Sequence, residues 1–157
     1  MTMTLRAAGM IAAAFALLAV LMPAAPAGAQ VGALVDPNTA AESELQQLPS
    51  MNPAIAKAMV EHRPFKSVVE LNRFLLDQKL TPEQAKAFLA KAFVPINLNT
   101  GTREEFMLIP GVGARMAAEF AEYRPWKTWA QFDKEIGKYV GQQETDRFKP
   151  YVFIPAN

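Results

Sequence analysis

"IPGVGAR" (residues 109–115) sets two glycines around a valine directly before an arginine, between two stretches of helical pattern. Upstream, Thr102 and Glu105 form a capping box ahead of "FMLI". Downstream, "ARMAAEFAEYR" carries Met116, Ala117 and Phe120 at helical spacing until Pro125 ends it. The spacing predicts a helix, a tight corner and a second helix. A helix start leaves several amides without intrahelical partners and carries partial positive charge, so such a corner is a natural anion site. Gly111 and Gly113 allow the unusual φ values of a tight turn and keep Cβ atoms out of a phosphate's way. Val112 is expected to point inward as an apolar pin, Ala114 to open the second helix, and Arg115 to add a charge-assisted bond to the same phosphate. Joining two helices accounts for the glycines alone; it does not require the arginine.

Working outward, the chain repeats itself. Sliding the sequence by 61 positions lays "VDPNTAAESELQQLPSMNPAIAKAMVEHRPFKSVVEL" (35–71) over "INLNTGTREEFMLIPGVGARMAAEFAEYRPWKTWAQF" (96–132). Asn38 meets Asn99, Thr39 meets Thr100, Pro49 meets Pro110, and Arg63-Pro64 meets Arg124-Pro125. After a one-residue slip, Phe88 lies over Phe148 and "FVP" (93–95) over "FIP" (153–155). Residues 35–95 and 96–157 are therefore two copies of one helical unit. Each is close to the lower size limit for burying its own core, so the copies are expected to pack on each other.

In the second copy Thr128 can cap a third helix, "WAQFDKEI", after which "GKYVGQQ" turns the chain and "ETDRF" forms a short fourth helix. The first copy follows with "ESELQQL", a turn at "PSMNP", "AIAKAMVEHR", "SVVELNRFLLDQ", "KLTP" and "EQAKAFLAKAF", with Asn38 and Thr39 placed to cap its first helix. No run alternates with period two, so the expected fold class is all-α: two tandem helix-hairpin-helix units.

"INLNT", "EE", "IPGVGAR", "EYRPWKTWAQF" and "RFKPYVFI" together resemble the tandem helix-hairpin-helix domain of the ComEA-like competence DNA receptors, exported proteins. The likeness is close over residues 96–154 and looser over 35–95. It implies a compact helical module whose paired hairpins hold the sugar-phosphate backbone of DNA without reading bases, outside the cytoplasmic membrane. Backbone contacts position a protein without base information, so the implied binding is independent of sequence.

Of the four hairpins the resemblance implies, one keeps its pattern. In the first copy Ser50 and Asn52 stand at the two glycine positions and Ala54 at the arginine, with Lys57 one turn further on. "KLTPE" (79–83) keeps neither glycine. In "KYVGQQ" (138–143) Tyr139 takes the first glycine position, Gly141 survives at the second, and Gln143 stands where the family has a lysine. Gly141 is thus expected to assist the corner at 111–115. One hairpin neutralising about two phosphates gives a salt slope near −2 and a dissociation constant of roughly 10⁻⁴ to 10⁻⁶ M at physiological salt.

The N-terminal thirty residues differ from the rest. Arg6, the apolar run "AAGMIAAAFALLAVLM" (7–22), Pro23 and the small residues Ala27 and Ala29 read as a signal peptide over residues 1–29, cleaved ahead of Gln30, with 30–34 a short linker. The 16-residue run is shorter than the ~20 a spanning helix needs, so membrane attachment is expected only if the segment stays uncleaved. The expected location is the periplasm or the exterior. No cysteine is present, which excludes disulfides, thiolate metal sites and a lipid-modified cysteine. Without Arg6 the chain has 15 basic and 15 acidic residues. Polyanion binding must then come from local geometry, not from the overall field.

Other conspicuous residues have plainer readings. Arg63 and Arg124 fit helix C-termini, where a cation complements the dipole, and Lys66 and Lys127 fit solvated positions. His62, the single histidine, lies opposite Tyr123 in the repeat and fits a semi-buried aromatic position. Trp126 and Trp129 match Phe65 and Val68, which indicates packing before base stacking. Glu104 and Glu105 serve the helix start, not a paired-carboxylate site. No catalytic set, metal-ligand set or cofactor motif is present, so no enzyme is expected. The competing function is an envelope scaffold that keeps the fold and binds a protein partner.

Overall fold

The computed structural model describes residues 34–156. The expected signal peptide, its cleavage point and residues 30–33 of the linker lie outside the described residues.

Eight helices follow the repeat. α1 (Glu42–Leu45), α2 (Pro53–His62), α3 (Val68–Asp77) and α4 (Pro82–Leu89) belong to the first copy. After strand β1 (Ile96–Asn97) come α5 (Arg103–Met107), α6 (Ala114–Glu122), α7 (Trp129–Val140) and α8 (Gln142–Phe148) of the second. A 3-10 turn (Lys149–Tyr151) and strand β2 (Val152–Phe153) complete it. The expected caps are present: Thr102 and Glu105 form the reciprocal box on α5, and Thr128 Oγ1 accepts from Gln131 N–H at the start of α7.

The chain is mostly helical, with one addition that periodicity did not show. Ile96 pairs in parallel with Val152, and Asn97 with Phe153. At the matching place in the first copy Val35 pairs with Ala92. Each copy's opening segment therefore meets its own closing segment, through pairings two or fewer residues long that leave no alternating pattern.

Long-range clamps repeat as well. Asn38 donates through Nδ2 to Phe65 O (3.0 Å) and accepts from Phe65 N–H (2.7 Å). Asn99 does the same with Trp126, at 2.9 and 2.6 Å. Arg63 donates to Pro37 O and Ala40 O, both at 2.6 Å. Arg124 donates to Leu98 O (2.7 Å) and Gly101 O. These contacts correct two expectations. Asn38 and Thr39 do not cap α1, whose N-cap is Ala41 with no side-chain bond; Thr39 Oγ1 bonds the Asp36 carboxylate instead. The arginines do not merely complement a helix dipole, because they satisfy carbonyls of the opening segment that no helix or sheet would pair.

The core is continuous across both copies. Leu45, Met59, Phe65, Leu71 and Phe88 are buried at the positions where Phe106, Phe120, Trp126, Phe132 and Phe148 are buried in the second copy. Phe120 lies 5.2–5.8 Å from the rings of Phe106, Phe132 and Phe148. The copies join through Phe93, whose ring meets Tyr151 edge-on at 4.9 Å, and through Tyr151 Oη donating to Ala90 O at 3.3 Å.

Two aromatic expectations need adjusting. His62 touches Phe65 and Phe74, at 5.0 and 5.1 Å, but is exposed and faces Glu70. Trp126 is buried and donates to Phe120 O, whereas Trp129 is 39% exposed against the edge of Phe132.

Candidate nucleic-acid interface

The corner between α5 and α6 is built as a pin and a bared helix start. Val112 N–H donates to Ile109 O, and the Val112 side chain is buried, as its place between the glycines predicts. Gly111 has φ +81°, which L side chains rarely adopt, and a Cβ there would run into the Arg147 guanidinium. Gly113 differs: its φ of −93° and ψ of 177° suit any residue, and a Cβ would meet nothing within 4 Å. The two glycines therefore do separate jobs. Gly111 makes the turn, with Arg147 held alongside by its bond to Pro110 O (2.8 Å), and Gly113 provides the open approach.

Gly113 is the N-cap of α6 and offers no side chain to cap it. The N–H groups of Gly113, Ala114 and Arg115 meet no acceptor among the described residues. They belong to exposed residues at the positive end of a nine-residue helix. Arg115 is exposed in the first turn. Its guanidinium lies 5.8 Å from the Tyr139 ring centre, and no carboxylate among the described residues pairs with it.

Across from this start stands the end of α7. Gly113, Arg115, Met116, Tyr139 and Val140 line one cavity of about 300 Å³. The turn expected over "GKYVGQQ" narrows to one residue. α7 continues through Val140, and Gly141 alone, at φ +80°, connects it to α8. Gly137 sits inside the helix, where an added Cβ would make ordinary contact with Thr145 Oγ1 at 3.7 Å.

Charge around the cleft is mixed. Lys138 Nζ lies 2.5 Å from Glu135, and that contact, followed by Tyr123, raises its pKa above the ordinary 10.5. The same pairing holds Glu135 below the usual carboxylate range. The Tyr123 hydroxyl, 2.8 Å from that of Tyr139, and then Glu119 push the Tyr139 phenol well above 10.0, so it is neutral at physiological pH. Arg147 is tied to Glu144 and Lys149 to Asp133 and Asp146. Arg115 is the cation of the cleft that no carboxylate engages. On the far side of the corner, Lys86, Met107, Leu108, Ile109, Pro110, Gly111 and Val112 line a mainly apolar groove of about 310 Å³.

The first copy follows the same path with two of the helix-start donors removed. Ser50 takes the positive-φ position of Gly111, at 63°. Asn52 Oδ1 accepts from Ile55 N–H at 2.9 Å, and Pro53 at the first helical position has no N–H to offer. At α4, Thr81 and Gln84 form a reciprocal capping box and Pro82 again removes a donor. An N-cap residue followed by proline is legible in "NP" and "TP", and it identifies closed helix starts. Counting lost glycines alone misses it.

Among the described residues no group of His, Asp and Glu could hold a metal ion, and no helix is long and apolar enough to cross a membrane.

The family model described as "Helix-hairpin-helix motif" matches residues 30–90, the first copy. The repeat carries the same plan into the second. The match supports a nucleic-acid-binding role in general terms, and the motif is a DNA-binding rather than a catalytic one. No curated protein and no solved structure gives a match.

Proposed function

We propose that the protein binds DNA through its sugar-phosphate backbone, independently of sequence, with Gly111, Val112, Gly113, Ala114 and Arg115 forming the main phosphate grip and Gly141 assisting. The observation that carries this reading is the α6 start: three backbone amides without acceptors beside an unengaged arginine, open to solvent. Each phosphate held there replaces lost water contacts with charge-assisted bonds.

The proposed setting is outside the cytoplasmic membrane, after cleavage between Ala29 and Gln30, with a role in DNA uptake of the ComEA kind. Its supports are the signal-like sequence of residues 1–29 and the motif resemblance of residues 96–154. With one open corner, affinity is expected in the weak non-specific range, with a salt slope near −2. Anisotropy titration of a labelled duplex at about 50 mM salt tests it. Wild type binds and loses affinity with added salt; Gly113→Glu with Arg115→Glu abolishes binding. If the double variant binds as wild type does, the grip lies elsewhere.

A second reading is favoured by the capped starts of α2 and α4 and by the apolar groove beside Pro110. In it the protein is an envelope scaffold. Absence of any salt-dependent DNA binding, together with a reproducible protein partner, decides for it.

A further inference from the structure

The cleft at the α6 start has one wall that backbone recognition does not use. Tyr139 is 38% exposed and lines the same cavity as Gly113 and Arg115. It stands at a hairpin position where a phosphate grip calls only for bare backbone. Because α7 remains helical through Val140, the ring is carried on the last turn of a rigid element, not on a loop. Its hydroxyl is fixed by Tyr123 Oη at 2.8 Å. The Arg115 guanidinium and the Lys138 ammonium lie 5.8 and 5.6 Å from its centre. Such a ring, rigid, partly exposed and flanked by cations, is a stacking platform for a base.

A duplex cannot use that platform. Both faces of each of its bases are covered by neighbours in the stack, so it shows the cleft only sugar, phosphate and base edges. An unpaired strand can turn a base onto the ring at no unpairing cost, and a cavity of about 300 Å³ has room for one nucleotide at a time. We infer that the cleft takes single-stranded nucleic acid, with a phosphate on the amides of Gly113 to Arg115 and an adjoining base stacked on Tyr139. This rests on the phosphate grip proposed above and specifies its substrate. Arg115 then serves both ends of the nucleotide, reaching the phosphate while its guanidinium stays near the ring. The tryptophans do not compete for this role: Trp126 is 1% exposed, and Trp129, at the start of α7, does not line the cleft. The first copy has Ala54 and Lys79 at the places of Arg115 and Tyr139, so it offers neither the arginine nor the ring.

The test compares three probes of about 12 nucleotides at low salt: oligo-dT, an abasic strand of equal length and charge, and a duplex. Anisotropy is expected to rank oligo-dT about tenfold tighter than the abasic strand, with the duplex no tighter than the abasic strand. Tyr139→Ala removes the advantage of oligo-dT over the abasic strand; Tyr139→Phe, which keeps the ring and loses the Tyr123 bond, retains most of it. Equal binding of oligo-dT and the abasic strand by wild type overturns the inference, as does a preference for duplex. If those equal affinities still vanish in Gly113→Glu with Arg115→Glu, the phosphate grip survives without the base platform. If wild type binds none of the three probes, both fall.

Discussion

The starts of α2 and α6 occupy the same place in the repeat and leave different numbers of backbone donors free. At α2, Pro53 deletes one N–H and Asn52 takes another at 2.9 Å. At α6, Gly113 caps with no side chain, and the amides of residues 113–115 face solvent. A cap and a bound anion are alternative partners for one set of donors. The first copy has taken stability at that site; the second has kept the donors available. Loss of glycine in a hairpin is therefore more than loss of a tight turn, because the replacement can fill the anion's place with its own oxygen.

The largest effect expected on this comparison concerns what the copies share. Arg63 and Arg124 each satisfy two carbonyls of their copy's opening segment. Substitution of either by alanine should cost about 2–4 kcal/mol, since it removes charge-assisted bonds and strands part-buried acceptors. Urea or thermal unfolding checks this. Burial lowers the Arg124 pKa and Glu105 partly offsets that, but the guanidinium remains charged at any ordinary pH. A large cost at one arginine and none at the other would mean that the copies are not held by the same device.

Next in size, charge reversal separates the copies by function. Gly113→Glu with Arg115→Glu should weaken DNA binding at least about tenfold, the loss of one or more charge-assisted phosphate contacts. The matched pair Asn52→Glu with Ala54→Glu should change it little beyond the general effect of added negative charge. Equal losses in both would show that net charge, not the bare corner, governs binding.

Exchanging the caps sharpens the contrast. Gly113→Asn installs the first copy's cap and should stabilise α6 by a few tenths of a kcal/mol while weakening DNA binding several-fold. The converse, Asn52→Gly with Pro53→Ala and Ala54→Arg, should lose a little stability and gain binding. Melting curves and titrations on the same samples read both signs. If stability and affinity move in the same direction, the donors are not being competed for.

The smallest effect is in acid. Glu135, Glu144 and Asp146 are held below their ordinary values of 4.5, 4.5 and 3.8, first by bonds to Lys138, Arg147 and Lys149 respectively. A depressed carboxylate pKa contributes stability that is present above the ordinary value and lost as pH falls through the folded one. All three lie on α7 and α8; the side chains of Glu144 and Asp146 are exposed and Glu135 is half-buried, so the contribution of the two exposed carboxylates is small and salt-screened. Hydrogen exchange below about pH 4 should loosen α7 and α8 before α3 and α4.

How much of this was legible in the sequence follows from range. The caps at Thr102 and Thr128 and the pin at Val112 are local features and stand as read, whereas Asn38 and Thr39 do not cap α1. The clamps of Asn38 on Phe65 and Arg63 on Pro37 join residues 27 and 26 positions apart, which no spacing rule encodes. The two-residue strands are too short to leave a pattern. The turn read over "GKYVGQQ" narrows to Gly141, because α7 stays helical through Val140. The glycine corner at Gly111–Arg115 was visible in the sequence as a motif, whereas Tyr139 read only as a missing glycine. That it shares a cavity with Gly113 depends on how α7 lies beside α6.

The central claim is that the α6 amides hold a backbone phosphate, and an amide NMR titration with a short oligonucleotide tests it most directly. Saturable, salt-reversible shifts are expected at the N–H groups of Gly113, Ala114 and Arg115, with Ile55, whose N–H is already bonded to Asn52, staying still. Binding that leaves residues 113–115 unmoved, or that moves Ile55 equally, would contradict it.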